Sequence, residues 1–187
     1  MSRCVTAGSG NWGSAIATKI GQSVLKDSSF YPEIKMWVFE EYVKLENGKW
    51  VRPPRGSQPP DDKTWVDLGY RPLTEVINEK HENVVYLPGI PLPTSVVAEP
   101  DIAKAVKDAT MMIFVIPHNF LAPIVPKMNG AFAKGAVGIS LIKGIEFDDG
   151  MRSGRCHLRP PAELTPIYTA LLHAPTPFLP RQAGSHL

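Results

Sequence analysis

The sequence predicts an α/β protein built on a doubly wound, mostly parallel sheet. Two observations favour this class: apolar segments alternate with segments of helical spacing, and a glycine-rich turn at residues 8–13 lies between the first predicted strand and the first predicted helix. Uniformly apolar strands are typical of parallel sheets, which helices cover on both faces. With 187 residues and 43% apolar content, the chain can bury one sizeable core, so we expect one main domain.

The first half of the chain supplies two predicted strands and two predicted helices. They span residues 4–7 (strand), 11–22 (helix), 34–39 (strand, IKMWVF) and 73–80 (helix). The strand at 4–7 depends mainly on the glycine turn that follows it, because Thr6 and Ala7 are poorer strand residues than branched aliphatics.

The second half continues the alternation. A short strand at 96–98 precedes a helix at 101–108, which has an acidic start. The run MMIFVI at 111–116 is apolar throughout and predicts a strand in the middle of the sheet. A helix over 120–128, despite Pro123 and Pro126, and a final buried strand over 137–142 complete the pattern.

Prolines concentrate in two segments that we expect not to join the sheet. The segment 44–72 contains Pro53, Pro54, Pro59 and Pro60 and shows neither helical nor strand periodicity, which predicts an inserted surface loop. After Gly150, prolines interrupt every candidate helix except a short amphipathic piece at 164–173. We expect this tail, 151–187, to be poorly ordered.

Composition excludes several classes of function. A net charge of +2 is too small to indicate nucleic acid or an anionic membrane as the main partner. Cys4 and Cys156 lack metal-ligand spacing and are interpreted as reduced thiols, so no metal is expected. No apolar run approaches the roughly 20 residues of a membrane span, and the N-terminus does not resemble a secretory signal. We therefore expect a cytoplasmic protein.

Each glycine of the turn GSGNWG has a distinct predicted task. Gly8 allows the tight turn out of the strand, Gly10 lets the backbone contact a pyrophosphate, and Gly13 lets the helix pack closely on the sheet. The following helix directs unsatisfied N–H groups and its positive dipole end at the anion. The alternative is a glycine-rich turn without a ligand.

Acidic residues follow the second predicted strand. Glu40 or Glu41 could accept hydrogen bonds from the hydroxyls of an adenosine ribose and would repel a 2′-phosphate, which favours NAD over NADP. The alternative is a solvated charge pair at the end of a strand.

Five runs occur in order along the chain: GSGNWGSAIA (8–17), MWVFEE (36–41), INEKHENVVYLPG (77–89), IFVIPHNF (113–120) and GISLIKGIE (138–146). Together they resemble the eukaryotic NAD-dependent glycerol-3-phosphate dehydrogenases. The resemblance implies an NAD-binding Rossmann domain over residues 1–150. It also implies hydride transfer between NADH and dihydroxyacetone phosphate, giving glycerol 3-phosphate, in a cytosolic homodimer.

Carried over to this sequence, the resemblance assigns the cofactor and substrate sites. It makes Phe39 and Phe120 walls of the cofactor site, and it makes Lys143 a substrate-binding residue. Core packing of the two aromatics and a solvated loop lysine are the alternatives. The pyrophosphate of NAD is placed on Gly8, Ser9, Gly10, Asn11, Trp12 and Gly13.

No catalytic residue is assigned. His81 and His118 have no partner nearby in sequence that would mark a catalytic pair, so an incidental role is favoured for both. The resemblance stops after Glu146, and the catalytic lysine of the family belongs to a helical domain that the remaining residues do not resemble. We therefore expect the chain alone to be weak or inactive as an enzyme, and its dimerisation is doubtful. The alternative is a non-catalytic NAD-binding or interaction module from a truncated isoform.

Overall fold

The computed structural model describes residues 1–54, 57, 62–117 and 120–142. In chain order the elements are β1 (Cys4–Ala7), α1 (Asn11–Val24), β2 (Ile34–Trp37), β3 (Tyr42–Glu46), β4 (Lys49–Val51), α2 (Asp62–Asp67), β5 (Arg71–Pro72), α3 (Leu73–Lys80), β6 (Val96–Glu99), α4 (Ile102–Ala105), β7 (Met111–Phe114), α5 (Leu121–Ile124), a 3-10 helix (Val125–Met128) and β8 (Val137–Ser140). The predicted tail at 151–187 lies outside the described residues.

The main sheet has five parallel strands in the order β6-β2-β1-β7-β8. The chain builds outward from β1 to β6, then returns to the other side of β1 with β7 and β8. This reversal creates a switch point between β1 and β7, where ligands of doubly wound sheets bind. The predicted fold class is confirmed.

Strand β1 lies at the centre of this sheet, and all four of its residues are buried. Val5 is in register with Lys35 of β2 on one side and with Met112 of β7 on the other. The predicted strand is therefore confirmed with its bounds, because pairing on two sides offsets the low intrinsic preference of Thr6 and Ala7.

Two hydrophobic cores cover opposite faces of the sheet. Val5 and Phe114 belong to the core that includes α4, α5 and the 3-10 helix. Cys4 and Met36 belong to the other core, which includes residues of α1 and α3. Helix α1 lies close to the sheet at Gly21, where an added Cβ would be 2.8 Å from Cγ2 of Val96.

The predicted irregular loop at 44–72 is wrong for its described part. Strands β3, β4 and β5 form a small antiparallel sheet in the order β4-β3-β5, and α2 follows β4 in the chain. The β3–β4 hairpin turns at Asn47 and Gly48, which both have positive φ. Asn-Gly is the strongest short-range hairpin signal in a sequence. The prolines that follow it favour an irregular loop, which is why the sequence prediction differs from the structure here.

Helix α2 is attached to the small sheet by aromatic contacts. The ring of Trp65 stacks against Tyr42, with centroids 5.9 Å apart, and meets Tyr70 edge-on at 5.2 Å. Two tyrosines on either side of one tryptophan therefore give the segment a small apolar centre of its own.

Other predicted elements differ by one or two residues at their ends, and three differ more in extent or burial. The helix predicted over 101–108 is the single turn α4, and the helix predicted over 120–128 divides into α5 and the 3-10 helix, which contain Pro123 and Pro126 respectively. The final strand β8 is not buried as predicted. It pairs only with β7 among the described residues, and it exposes Val137 and Ile139, which alternate along the strand and so lie on one face of the sheet.

Candidate functional site

The glycine turn connects the carboxyl end of β1 to α1, beside the switch point of the sheet. Gly8 has a φ of +125°, and an added Cβ would lie 2.8 Å from both the Val115 carbonyl oxygen and Cγ2 of Ile116. A side chain at position 8 is therefore excluded both by conformation and by the chain leaving β7.

The other two glycines of the turn have different surroundings. A Cβ on Gly13 would lie 2.2 Å from the carbonyl oxygen of Gly8, so this glycine lets α1 close on the turn itself. The close approach predicted at Gly13 is therefore made to the residue that follows β1, and Gly21 adds a second close approach, to β6. A Cβ on Gly10 would meet no atom within 4 Å, so the backbone at Gly10 is open to a ligand.

The N-terminus of α1 has the properties of an anion site. The helix is 14 residues long, its N-cap is Gly10 without a side-chain cap, and its first turn contains no acidic residue. The first intrahelical bond runs from Ser14 N to Gly10 O, at 2.9 Å. The N–H groups of residues 11–13 therefore have no partner within the helix, and the positive dipole end is not neutralised by a side chain.

The turn is supported from its buried side by a triangle of hydrogen bonds. The Ser9 carbonyl oxygen accepts from the Ser14 hydroxyl at 3.1 Å and from Nδ2 of Asn83 at 2.8 Å. Asn83 Nδ2 also donates to the Ser14 hydroxyl oxygen, at 2.8 Å. Ser9 itself is buried, so on the buried side of the turn it supports the backbone rather than facing a ligand.

Asn83 comes from the loop after α3, far from the turn in sequence, and it is fully buried. Its Oδ1 accepts hydrogen bonds from the backbone N–H groups of Val85 and Tyr86, at 3.3 and 3.1 Å. Both donor and both acceptor positions of the amide are thus used. Nothing in the local pattern of residues indicates this contact, although Asn83 lies within the HENVVYLPG run.

Large aromatic side chains are exposed at this edge of the sheet. Phe39 is 70% exposed after β2, and Phe120 is 51% exposed after β7. Core packing, the alternative for both, is therefore wrong. Trp12 in the first turn of α1 is 58% exposed, and Asn11 beside it is also exposed. Exposed rings around an anion site provide surface that a planar ligand could cover.

Glu40 has a structural task that the sequence did not indicate. Its Oε1 accepts from the backbone N–H of Thr74 at 3.1 Å, and its Oε2 accepts from the Thr74 hydroxyl. Helix α3 begins at Leu73, and its N-cap, Pro72, has no side chain to offer the helix. Glu40 therefore caps α3 from another part of the chain. Its role toward an adenosine ribose stays a prediction.

Glu41 joins the small sheet to the loop that carries Asn83. Its Oε1 accepts from the Tyr86 hydroxyl at 2.5 Å, and its Oε2 lies 3.6 Å from Nη1 of Arg52. Burial, followed by the hydrogen bond to Glu41, raises the pKa of Tyr86 to about 12. Glu41 is thus half of an ion pair rather than a freely solvated charge.

The remaining predicted residues are placed only in part. Lys143 and His118 lie outside the described residues. His81 ends α3 in the left-handed conformation, with its backbone N–H donating to the Ile77 carbonyl. Its backbone carbonyl accepts from Leu92 N at 2.7 Å, which agrees with an architectural role for this residue.

The described part of the chain contains neither a metal-ligand cluster nor a membrane-spanning helix. No cluster of three or more His, Cys, Asp or Glu side chains within it could hold a metal ion. None of the helices described has the length and apolar character needed to cross a membrane. Cys4 is buried and free, and burial raises the pKa of its thiol.

The five-stranded order, the switch point and the glycine turn opening α1 define a dinucleotide-binding domain of the Rossmann type. A family model described as the N-terminus of NAD-dependent glycerol-3-phosphate dehydrogenase matches residues 4–155. The chain belongs to the NAD-dependent glycerol-3-phosphate dehydrogenase family, within its N-terminal part.

Individual relatives agree with this assignment. The human cytoplasmic glycerol-3-phosphate dehydrogenase [NAD(+)] is 43% identical over 139 residues, which are 74% of this chain and 33% of the relative. The Cuphea lanceolata enzyme is 44% identical over 145 residues, covering 78% and 32%. The solved glycerol-3-phosphate dehydrogenase of Saccharomyces cerevisiae has a TM-score of 0.60 and 36% identity, covering 78% of this chain and 34% of that one. The chain thus spans about a third of the length of these relatives.

Proposed function

We propose that this chain binds NAD(H), with the pyrophosphate on the turn Gly8–Gly13 and on the first N–H groups of α1. One observation supports this most: the N-terminus of α1 has neither a side-chain cap nor an acidic residue, and the backbone at Gly10 is open. A diphosphate supplies the negative charge and the acceptor oxygens that such a helix end lacks.

The exposed phenylalanines extend the proposed site to both halves of the dinucleotide. Phe39 follows β2, the strand beside which the adenosine half binds in doubly wound sheets. Phe120 follows β7, across the switch point, and is proposed to line the nicotinamide half. Covering these rings removes apolar surface from water, which favours binding.

From the family to which the chain belongs, we propose hydride transfer between NADH and dihydroxyacetone phosphate as the activity, giving glycerol 3-phosphate. Lys143 is proposed to bind the anionic substrate, because a compact ammonium suits a phosphate or a polarised carbonyl. The described residues at 115–117, 120–126 and 141–142, which follow β7 and β8, include no ionisable side chain that could protonate the alkoxide. The described residues support the cofactor-binding part of this proposal.

A non-catalytic NAD-binding module is the second candidate, favoured because the described segments 115–117, 120–126 and 141–142 contain no ionisable side chain. In either case we propose a cytoplasmic protein, as the names of several relatives indicate for those proteins. The proposal does not include the homodimer that the family resemblance implies.

Two measurements separate the candidates. Titration with NADH, followed by the nucleotide fluorescence, is expected to show saturable binding and to raise the unfolding temperature. Absence of both effects contradicts any cofactor role. Oxidation of NADH in the presence of dihydroxyacetone phosphate, lost in Lys143→Ala, would exclude the non-catalytic module. An unchanged rate in Lys143→Ala would exclude the proposed role of this lysine.

A further inference from the structure

The direction of one backbone N–H in the glycine turn depends on Asn83. No peptide bond in the described residues is cis, so the Ser9 carbonyl and the Gly10 N–H point in opposite directions across one plane. The Ser9 oxygen is directed into the buried triangle with Asn83 and Ser14. The Gly10 N–H is therefore directed away from that triangle, out of the buried side of the turn.

We propose that Asn83 is a positioning residue for the cofactor: by binding the Ser9 carbonyl, it directs the Gly10 N–H toward the pyrophosphate of NAD(H). This inference rests on the proposed NAD-binding function.

The chemistry of the triangle explains why an amide is required at position 83. The Ser9 oxygen accepts two hydrogen bonds, and the Ser14 hydroxyl uses its single proton for one of them. Asn83 donates one proton to Ser9 and the other to Ser14 Oγ, so it also orients the Ser14 hydroxyl toward Ser9. A residue without two donors leaves the Ser9 carbonyl with the Ser14 hydroxyl alone of these two partners, and no longer orients that hydroxyl.

Asn78 provides a control with the same type of side chain at a more exposed position. Its Nδ2 donates to the Ala98 carbonyl at 3.0 Å, and its Oδ1 accepts from Ala98 N at 2.8 Å. Like Asn83, Asn78 uses its side-chain amide to bind backbone groups, but it connects α3 to β6 and has no hydrogen bond to the glycine turn. Aspartate is avoided at position 83, because its carboxylate near the turn would repel a diphosphate directly. Alanine is therefore used at both positions.

The experiment compares Asn83→Ala and Asn78→Ala with the wild-type chain, using two ligands. NADH contains the pyrophosphate, whereas adenosine, measured as a competitor of NADH, does not. Loss of one well-aligned hydrogen bond to a charged group predicts that Asn83→Ala weakens NADH binding about 10- to 100-fold. Adenosine affinity is expected to stay within about threefold of wild type, and Asn78→Ala is expected to change neither.

Three outcomes would overturn the inference. Wild-type affinity for NADH in Asn83→Ala, or an equal loss for NADH and adenosine, would show that Asn83 does not act through the pyrophosphate. An equal loss in Asn78→Ala would show a general structural effect. If the wild-type chain does not bind NADH at all, the proposed function fails together with the inference, whereas the proposed function stands in each of the three outcomes above.

A second measurement keeps the inference testable if Asn83→Ala does not fold. In the wild-type chain, the amide proton of Gly10 is expected to show a large downfield NMR shift on addition of NADH, since it would donate to a phosphate oxygen. A Gly10 amide that does not respond, while the amides of residues 11–13 do, would overturn the inference.

Discussion

Three glycine-to-alanine substitutions should have graded and separable effects, because the added methyl group meets different atoms at each position. In Gly13→Ala the Cβ would lie 2.2 Å from the Gly8 carbonyl oxygen, which is backbone. In Gly21→Ala it would lie 2.8 Å from Val96 Cγ2 and 2.9 Å from Ser95 Oγ, which are side-chain atoms. In Gly10→Ala it would meet nothing within 4 Å.

The magnitudes follow from these contacts. Alanine inside a helix is favoured over glycine by about 1 kcal/mol, which applies at positions 13 and 21. Relief of the overlap in Gly13→Ala requires a backbone shift of roughly 1 Å, and overpacking against a rigid group costs about 3 kcal/mol or more. The net loss is about 2 kcal/mol or more for Gly13→Ala, and about 0–1 kcal/mol for Gly21→Ala, whose neighbours can move.

The assay is thermal unfolding with and without NADH, combined with an NADH titration. Gly13→Ala is expected to lower the unfolding temperature by roughly 5–10 °C, while Gly10→Ala changes it by a few degrees at most. Gly10→Ala should nevertheless weaken NADH binding, because its methyl group occupies space that the pyrophosphate would approach. Equal stability of Gly10→Ala and Gly13→Ala, with unchanged NADH affinity in both, would refute the reasoning.

Three further substitutions test other contacts of the structure. The pKa of Tyr86 is raised to about 12 in the folded state, so its protonated form stabilises the native protein below pH 10, and this contribution is lost between about pH 10 and 12. In urea unfolding, the wild type should therefore lose more stability than Tyr86→Phe over that range. Parallel pH profiles of the two proteins would contradict the assignment. Asp101 accepts from Ala103 N and Lys104 N, so Asp101→Ala should lower the free energy of unfolding by about 1 kcal/mol, measured by denaturant titration; no change would mean that the cap is not formed. Glu40→Gln weakens the cap of α3 and should lower stability by about 1 kcal/mol without abolishing NADH binding; loss of NADH binding at unchanged stability would instead support the ribose role.

The main sheet was predictable from the sequence because its strands are short apolar runs between clear turn and helix signals. The helix at 73–80 and the strand at 4–7 were predicted with the bounds that the structure shows. The helix at 101–108 was overestimated, since the chain leaves the helix at Val106 and Asp108 has a positive φ. Short helices in such folds end where packing requires, which local propensity does not encode.

The site was predictable only where function depends on local backbone conformation. The glycine spacing identified the turn, but the support from Asn83 spans 74 positions in sequence and has no local signature. Glu40 and Glu41 are predicted as candidates for a ribose contact, and their structural partners Thr74 and Tyr86 become visible only in the fold. In the small sheet, the Asn-Gly turn at Asn47 and Gly48 determines the hairpin, although prolines are frequent in the residues that follow it.

The pairing of Tyr42 with Pro72 has a consequence for how the fold forms and varies. The segment between Tyr42 and Pro72 therefore begins and ends at neighbouring positions of one sheet. The end of the path from β2 and the start of α3 are separated by about the distance between two paired strands. Loop-closure entropy changes by only about 0.6 kcal/mol when a loop doubles in length, so residues can be gained or lost inside this segment at little thermodynamic cost. The hairpin can also form from contacts close in sequence, before the parallel strands, which must wait for distant parts of the chain.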